Sequence, residues 1–203
     1  MNSNVPEVQS VMHPIKLRKL EVLKTEMLSP FFKKVIFYSE DLIDFISASP
    51  DDHVKAFFPD PETEDYIIPQ LGANGLSWDE SGPAPIMRDY TPLNYNQKDK
   101  TLELIFFLRK RGAAAVWANT AKEGSELYIA GPRGSYVVNY VFDWYLFITD
   151  EAGLPSLSRR LGEMPKDAKG LVLAEISSKE NGFKIDSDKI PSGIDIQWLE
   201  RKE

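Results

Sequence analysis

Four consecutive residues, Arg88-Asp89-Tyr90-Thr91, place a guanidinium, a carboxylate, a phenol and a hydroxyl in one short stretch. In an extended strand, successive side chains point to opposite faces, so Arg88 and Tyr90 share one surface while Asp89 and Thr91 share the other. A cation beside an aromatic suits a ligand carrying both phosphate and a planar ring. About one strand later, Gly112-Ala113-Ala114-Ala115-Val116-Trp117-Ala118 reads as the opening of a short helix. The free N–H groups and positive dipole end at such a helix start can take a pyrophosphate, and small side chains let phosphate approach the backbone. With Ala130-Gly131-Pro132 further on, these segments together read as a flavin site.

What the chain lacks narrows its chemistry. It has no cysteine, so disulfides, thiolate metal sites and cysteine-ligated iron–sulfur clusters are excluded, and redox work falls to a bound organic cofactor. Two histidines are too few to suggest a protein-held transition metal, and no metal site is expected. With 31 acidic against 24 basic residues the net charge is −7, which argues against a nucleic-acid binder that works by neutralising phosphates. The 203 residues are 42% hydrophobic, ample for a packed core in one large or two small domains. No apolar run approaches the ~20 residues needed to span a bilayer. The start, Met1 to Glu7, lacks a basic segment followed by an apolar one, so a cytoplasmic protein without membrane insertion is expected.

Two regimes of hydrophobic pattern must position these residues. From Ile15 to about Val138 the apolar segments are short and mostly alternating: Ile15 to Leu23, Lys34 to Tyr38, His53 to Phe58, Ile86 to Thr91, Thr101 to Leu108 and Glu126 to Ala130. Such a series, separated by turn residues, predicts a small antiparallel barrel of six strands. Beyond it, Tyr145 to Ile148 is continuously apolar, Leu154, Leu157 and Leu161 follow at helical spacing, and Gly170 to Ala174 is apolar again. That is a βαβ pattern, with a parallel sheet expected to be buried on both faces and Ile194 to Leu199 as its third strand. The boundary falls between Asn139 and Asp143, dividing the chain into residues 1–140 and 141–203. Pro59 to Pro85, rich in proline and glycine, reads as a long loop between barrel strands, with Trp78 as its anchor.

The order of the segments resembles the siderophore-interacting protein family, flavin-dependent ferric-siderophore reductases of the ferredoxin-reductase superfamily. The resemblance rests on Asp52-His53-Val54-Lys55 leading to Phe57-Phe58-Pro59, on Arg88 to Thr91, and on Gly112 to Ala118. Ala130 to Ser135 and Thr149-Asp150-Glu151-Ala152-Gly153-Leu154-Pro155 complete it. Two departures are that family members usually carry His where Arg109 stands and Gly-Pro-Ala where Gly112-Ala113-Ala114 stand.

The resemblance implies a Greek-key FAD-binding barrel followed by a parallel α/β nucleotide-binding-like domain, with NAD(P)H as electron donor. It implies that Tyr90 lies against the isoalloxazine, Thr91 near its reactive edge and Arg88 at the pyrophosphate. Asp89, Leu108, Arg109, Gly112, Ala113, Ala114, Ala115 and Trp117 complete the implied cofactor site, with Thr149 where strand meets helix. Taken alone, Arg88 reads as a surface ion-pair partner and Tyr90 as a half-buried strand aromatic. Ferric siderophores are often anionic, so Lys55, Arg109 and Arg133, with Lys110 and Arg111, are expected to attract the substrate, and no side chain is expected to act as a nucleophile. A superfamily nucleotide domain usually needs roughly five parallel strands and about 100 residues. Only about 60 follow Asp143, so the domain is expected to be truncated, to be completed by a partner, or to be a shortened version. A flavin module fed by ferredoxin, a flavin-free chelate binder and a general flavin reductase stay open beside the reductase.

Overall fold

The computed structural model describes residues 7–72, 75–109, 111–178 and 183–202. Lys110 therefore lies outside the described residues. In chain order the strands are β1 (Val8–Met12), β2 (Leu17–Ser29), β3 (Phe32–Tyr38), β4 (Val54–Phe58), β5 (Gln70–Gly72), β6 (Gly75–Ser77), β7 (Ile86–Tyr90), β8 (Asn94–Asn96) and β9 (Thr101–Phe107). Helix α1 (Ala113–Thr120) follows, then β10 (Glu126–Ala130), β11 (Gly134–Val138), β12 (Tyr145–Thr149), helix α2 (Leu154–Glu163), β13 (Lys169–Ile176) and β14 (Gly193–Glu200).

One antiparallel sheet runs β7-β4-β10-β2-β3-β9-β8. Each of the six alternating segments is a strand of it, and the seventh strand is the three-residue β8, which pairs with β9. Alternation puts Leu20, Val22, Val35, Phe37, Leu102, Leu104, Phe106, Leu127 and Ile129 on one buried face. The sheet curls: β7 and β9 are not ladder neighbours, yet the Tyr90 and Phe106 ring centroids are 4.5 Å apart. Two pairings had no sequence signal. β1 pairs with β11 from Val8↔Val138 to Met12↔Gly134, and all five β1 residues are exposed, so no apolar alternation marks it. Gly134 permits the close approach, since a Cβ there would lie 2.8 Å from the Val11 carbonyl. Inside the proline-rich loop, β5 and β6 form a small hairpin.

A second sheet runs β12-β13-β14 with parallel pairing, Tyr145↔Gly170 and Gly170↔Ile194. Helix α2 buries Leu154, Leu157 and Leu161 against Val172, Ala174 and Ile194 on one face of it. The expectation of burial on both faces is corrected: Leu146 is 51% and Ile148 74% exposed. A single crossover helix covers only one side of a parallel sheet.

The two sheets share a core. Phe32 of β3 and Ile105 of β9 point away from the curled interior and join the cluster around α2. Phe32 stacks on Phe107 at 4.9 Å and meets Phe183 edge-on at 4.9 Å. The polar side of α2 is also fastened: Arg159 donates to Ser47 Oγ at 2.7 Å, to the Ser47 carbonyl at 2.9 Å and to the Pro92 carbonyl at 2.9 Å. Ser156 donates to the Pro50 carbonyl at 2.9 Å.

Candidate cofactor site

A cleft of about 350 Å³ opens where the end of β7, the start of α1 and the turn into α2 converge. Arg88, Asp89, Tyr90 and Thr91 form one wall, and Arg109, Arg111 and Gly112 to Ala115 another. Ile105 and Phe107 form part of the lining, and Ala152 and Pro155 reach in from the second sheet's side.

The second wall follows from a backbone requirement. Gly112 has φ 109°, a left-handed conformation that glycine adopts without a Cβ penalty, and it swings the chain from β9 into α1. A Cβ there would meet nothing within 4 Å, so conformation rather than space requires the glycine. The first helical bond runs from Val116 N–H to the Gly112 carbonyl at 3.0 Å. The amides of Ala113 to Ala115 therefore precede any intrahelical acceptor, and among the described residues no side chain caps the helix start. Arg88, Arg109 and Arg111 are exposed around these amides. Arg88 donates to the Met87 carbonyl at 2.7 Å, and the Arg109 guanidinium sits 5.4 Å from the Phe107 ring centre.

Tyr90 is half-buried against Phe58 and Phe106, with centroids 5.9 Å and 4.5 Å away. Burial pushes its phenol up to about 12, against the opposing pull of Arg88 and Arg109, so it stays neutral at physiological pH. Asp89 places a carboxylate among the guanidinium groups, held at 2.9 Å by the Lys55 ammonium. Three cations, a helix start with free amides and an aromatic wall form a donor set that fits an anionic nucleotide with a planar ring. No cluster of three or more His, Cys, Asp or Glu side chains able to hold a metal occurs among the described residues.

Three residues expected at the cofactor do not line the cleft. Leu108 is turned into the core of the curled sheet, its N–H bonded to the Phe31 carbonyl at 2.7 Å. Trp117 is buried on the inner side of α1, stacked on Phe37 at 6.1 Å, with its indole N–H on the Glu126 carbonyl at 3.1 Å. Thr149 shapes the turn before α2: its hydroxyl donates to the Asp150 carbonyl at 3.1 Å, and a Cβ on Gly153 would lie 2.2 Å from it. Of the expected substrate contacts, Arg109 lines the cleft, Lys55 stands one strand behind it, and Arg133 is exposed in the turn before β11. Helix-length and strand-end registers decide these placements, and a motif in one dimension does not carry them.

Ile105 and Phe107 were missed. Their signal was the alternation of β9, where Leu104 and Phe106 fill the curled interior and force Ile105 and Phe107 outward. His13, for which the sequence offers no partner, lies with Nε2 2.8 Å from Ser135 Oγ. Ser135 in turn donates to buried Asp52 at 2.7 Å, as does Ser47 at 2.9 Å. Asp52 and Ser135 are thus scaffold, joining the turn before β4 to β11 outside the cleft.

Comparison with known proteins agrees with this architecture. Residues 21–136 match the profile of the siderophore-interacting FAD-binding domain, and residues 142–203 that of the siderophore-interacting protein. The chain is 38% identical over 204 residues to the NADPH-dependent ferric-chelate reductase of Escherichia coli (strain K12), covering 100% of this chain and 79% of that protein. It is 30% identical over 185 residues to the ferric vibriobactin reductase ViuB of Vibrio cholerae, covering 91% of this chain and 66% of that protein. The crystal structure of a siderophore utilization protein from T. fusca superposes with a TM-score of 0.86 at 33% identity, covering 96% of this chain and 73% of that one. A ferredoxin reductase in carbazole 1,9a-dioxygenase matches in fold, with a TM-score of 0.61 at 18% identity over 92% of this chain and 50% of that one. With a curled antiparallel sheet that fits an FAD-binding barrel and a profile match over more than half its length, this chain belongs to the siderophore-interacting protein family.

Proposed function

We propose that the protein is an FAD-dependent reductase of ferric siderophores, drawing electrons from NAD(P)H. The observation that carries this reading is the convergence of Arg88 to Thr91, Arg109 and the start of α1 with Ala152 and Pro155 in one cleft. A cofactor on the first wall then faces the second unit, from which a nicotinamide would approach. The E. coli relative is named an NADPH-dependent ferric-chelate reductase, and the V. cholerae relative a ferric vibriobactin reductase.

In this reading Arg88 and the amides of Ala113 to Ala115 hold the pyrophosphate. Tyr90 presents its neutral ring to the flavin and Thr91 its hydroxyl to the flavin edge. Bound FAD supplies acceptance of two electrons as hydride from the nicotinamide and their release singly to ferric iron. No side chain acts as nucleophile. Lys55, Arg109 and Arg111 set a positive field at the cleft mouth that draws an anionic chelate. Ferrous iron is held less tightly by hard oxygen donors, so reduction loosens the chelate.

The long strands are read as a six-stranded Greek-key barrel, supported by a sheet order that places β3 and β9 on one side of β2 and β10, β4 and β7 on the other. Residues 1–140 form the FAD-binding unit and 141–203 a nucleotide-binding-like unit, supported by the break between the profile matches. The cytoplasm, which maintains reduced nicotinamides, is the proposed site of action. Ferredoxin is the second reading for the donor, favoured by the exposed Arg88, Arg109 and Arg111, which would suit an acidic carrier.

A visible spectrum of the purified protein, with the released chromophore identified by mass, tests the cofactor. Anaerobic NADPH should then bleach bound FAD, and a ferric chelate should restore its colour. A bleached flavin that ferric chelates fail to reoxidise would remove the reductase reading. Failure of NADPH and NADH with success of reduced ferredoxin would favour the second donor.

A further inference from the structure

On β3, Lys33 belongs to the inward row with Val35 and Phe37, a position normally apolar. It is 7% exposed. Burial holds its ammonium below the ordinary lysine range. Among the described residues no carboxylate is paired with it. Its Nζ instead donates to the Ala118 carbonyl at 2.7 Å and the Ala121 carbonyl at 2.8 Å. Those oxygens belong to the last turn and C-cap of α1, where helix carbonyls lose their intrahelical donors and the dipole is negative. A desolvated cation without a counter-ion is costly unless its donors are satisfied, so the site is built around the helix end.

The opposite end of α1 lines the cleft. Eight residues at ~1.5 Å each separate the two ends by about 12 Å, and a helix this short moves as one body. Among the described residues no side chain caps its first turn, so its anchoring comes from the buried Ala115, Trp117 and Ala118 on the inner side and from Lys33 at the far end. Asn119 and Thr120 bond back within the helix, to Ala115, Val116 and Trp117 carbonyls.

We infer that Lys33 is a positioning residue for the cofactor: by gripping the C-terminal carbonyls of α1 from inside the barrel, it fixes where the helix presents its first amides to phosphate. The inference rests on the flavin-site reading above, and it assigns to a buried lysine outside the cleft a share of phosphate recognition. Phosphate-bearing flavins should therefore feel its loss, and riboflavin, which has no phosphate, should not.

The test is a fluorescence titration of the apo-protein with FAD, FMN and riboflavin, on wild type and on Lys33→Met, which keeps the apolar stem. Wild type should bind FAD and FMN more tightly than riboflavin. Lys33→Met should raise Kd for FAD and FMN about tenfold while leaving riboflavin within about twofold. If Lys33→Met does not fold, Lys33→Gln, which is uncharged and one bond shorter but keeps a donor, should show the same selective loss for FAD and FMN at smaller size. A variant with a lower melting temperature but an unchanged FAD-to-riboflavin ratio would overturn the role of Lys33. A wild type that binds FAD and riboflavin equally would instead sink the reading of α1 as the phosphate wall, and the inference with it.

Discussion

The Lys55 ammonium lies 2.9 Å from the Asp89 carboxylate across the β4–β7 ladder, where the two residues are register partners. Asp89 lines the cleft and Lys55 does not, so the carboxylate partly masks the charge expected to draw substrate. The pair is half-exposed, and exposed pairs contribute only about 0.2–1 kcal/mol, so loosening it perturbs the field more than the fold. Asp89→Asn should lower KM for an anionic ferric chelate by about two- to fivefold, with stronger salt dependence. Lys55→Met should raise KM and leave the Kd for FAD unchanged. Steady-state kinetics at two ionic strengths checks both, and an unchanged KM in each variant would contradict the electrostatic role.

Arg88 is exposed and, among the described residues, bonded only to the neighbouring Met87 carbonyl, so its removal costs the fold little. Loss of a charge-assisted phosphate bond should raise Kd for FAD about tenfold in Arg88→Gln. Equal affinity for FAD in variant and wild type would move the pyrophosphate elsewhere.

Trp117 separates packing from recognition. It is 7% exposed and packs against Phe37, Phe58 and Phe106. Trp117→Ala should cost about 3–5 kcal/mol in denaturant unfolding. Trp117→Phe should recover much of that and bind FAD normally, because the ring does not line the cleft. A stable Trp117→Phe that binds riboflavin as poorly as FAD would place the indole at the flavin ring after all.

Arg159 is the main polar fastener between α2 and the curled sheet, and its side chain is 8% exposed. Arg159→Ala should lower stability by about 2 kcal/mol and let the start of α2, with Ala152 and Pro155, drift from the cleft. FAD affinity should hold while KM for the nicotinamide rises. A rise in the FAD Kd with an unaltered nicotinamide KM would reverse the assignment of the two walls.

Asp44 makes stability depend on acid. Lys16 and Arg18 hydrogen-bond its carboxylate and hold it below the ordinary carboxylate range. A depressed folded-state value means that the unfolded chain takes the proton first, so this stabilisation is full above about pH 4 and disappears as pH falls through the folded value. Asp44→Asn should therefore melt lower than wild type at neutral pH, and the gap should close in acid. A gap independent of pH would show that charge is not the cause.

Local chemistry by itself determined the six long strands, the helix after Gly112, the βαβ unit and the grouping of Arg88 to Thr91 with Gly112 to Ala115. Alternation, a glycine at a left-handed turn and a continuous apolar run are written in neighbouring residues. The tertiary structure alone decided the rest. Whether Leu108, Trp117 and Thr149 face the cleft depends on where strands end and how a helix is rotated against a curled sheet. The pairing of exposed β1 with β11 needs a partner more than 100 residues away. Ile105 and Phe107 became cleft lining only because the curled sheet's interior had already claimed their neighbours. The role of Lys33 needs the end of α1 laid over it, because the carbonyls that satisfy its ammonium lie 85 and 88 residues away in the chain.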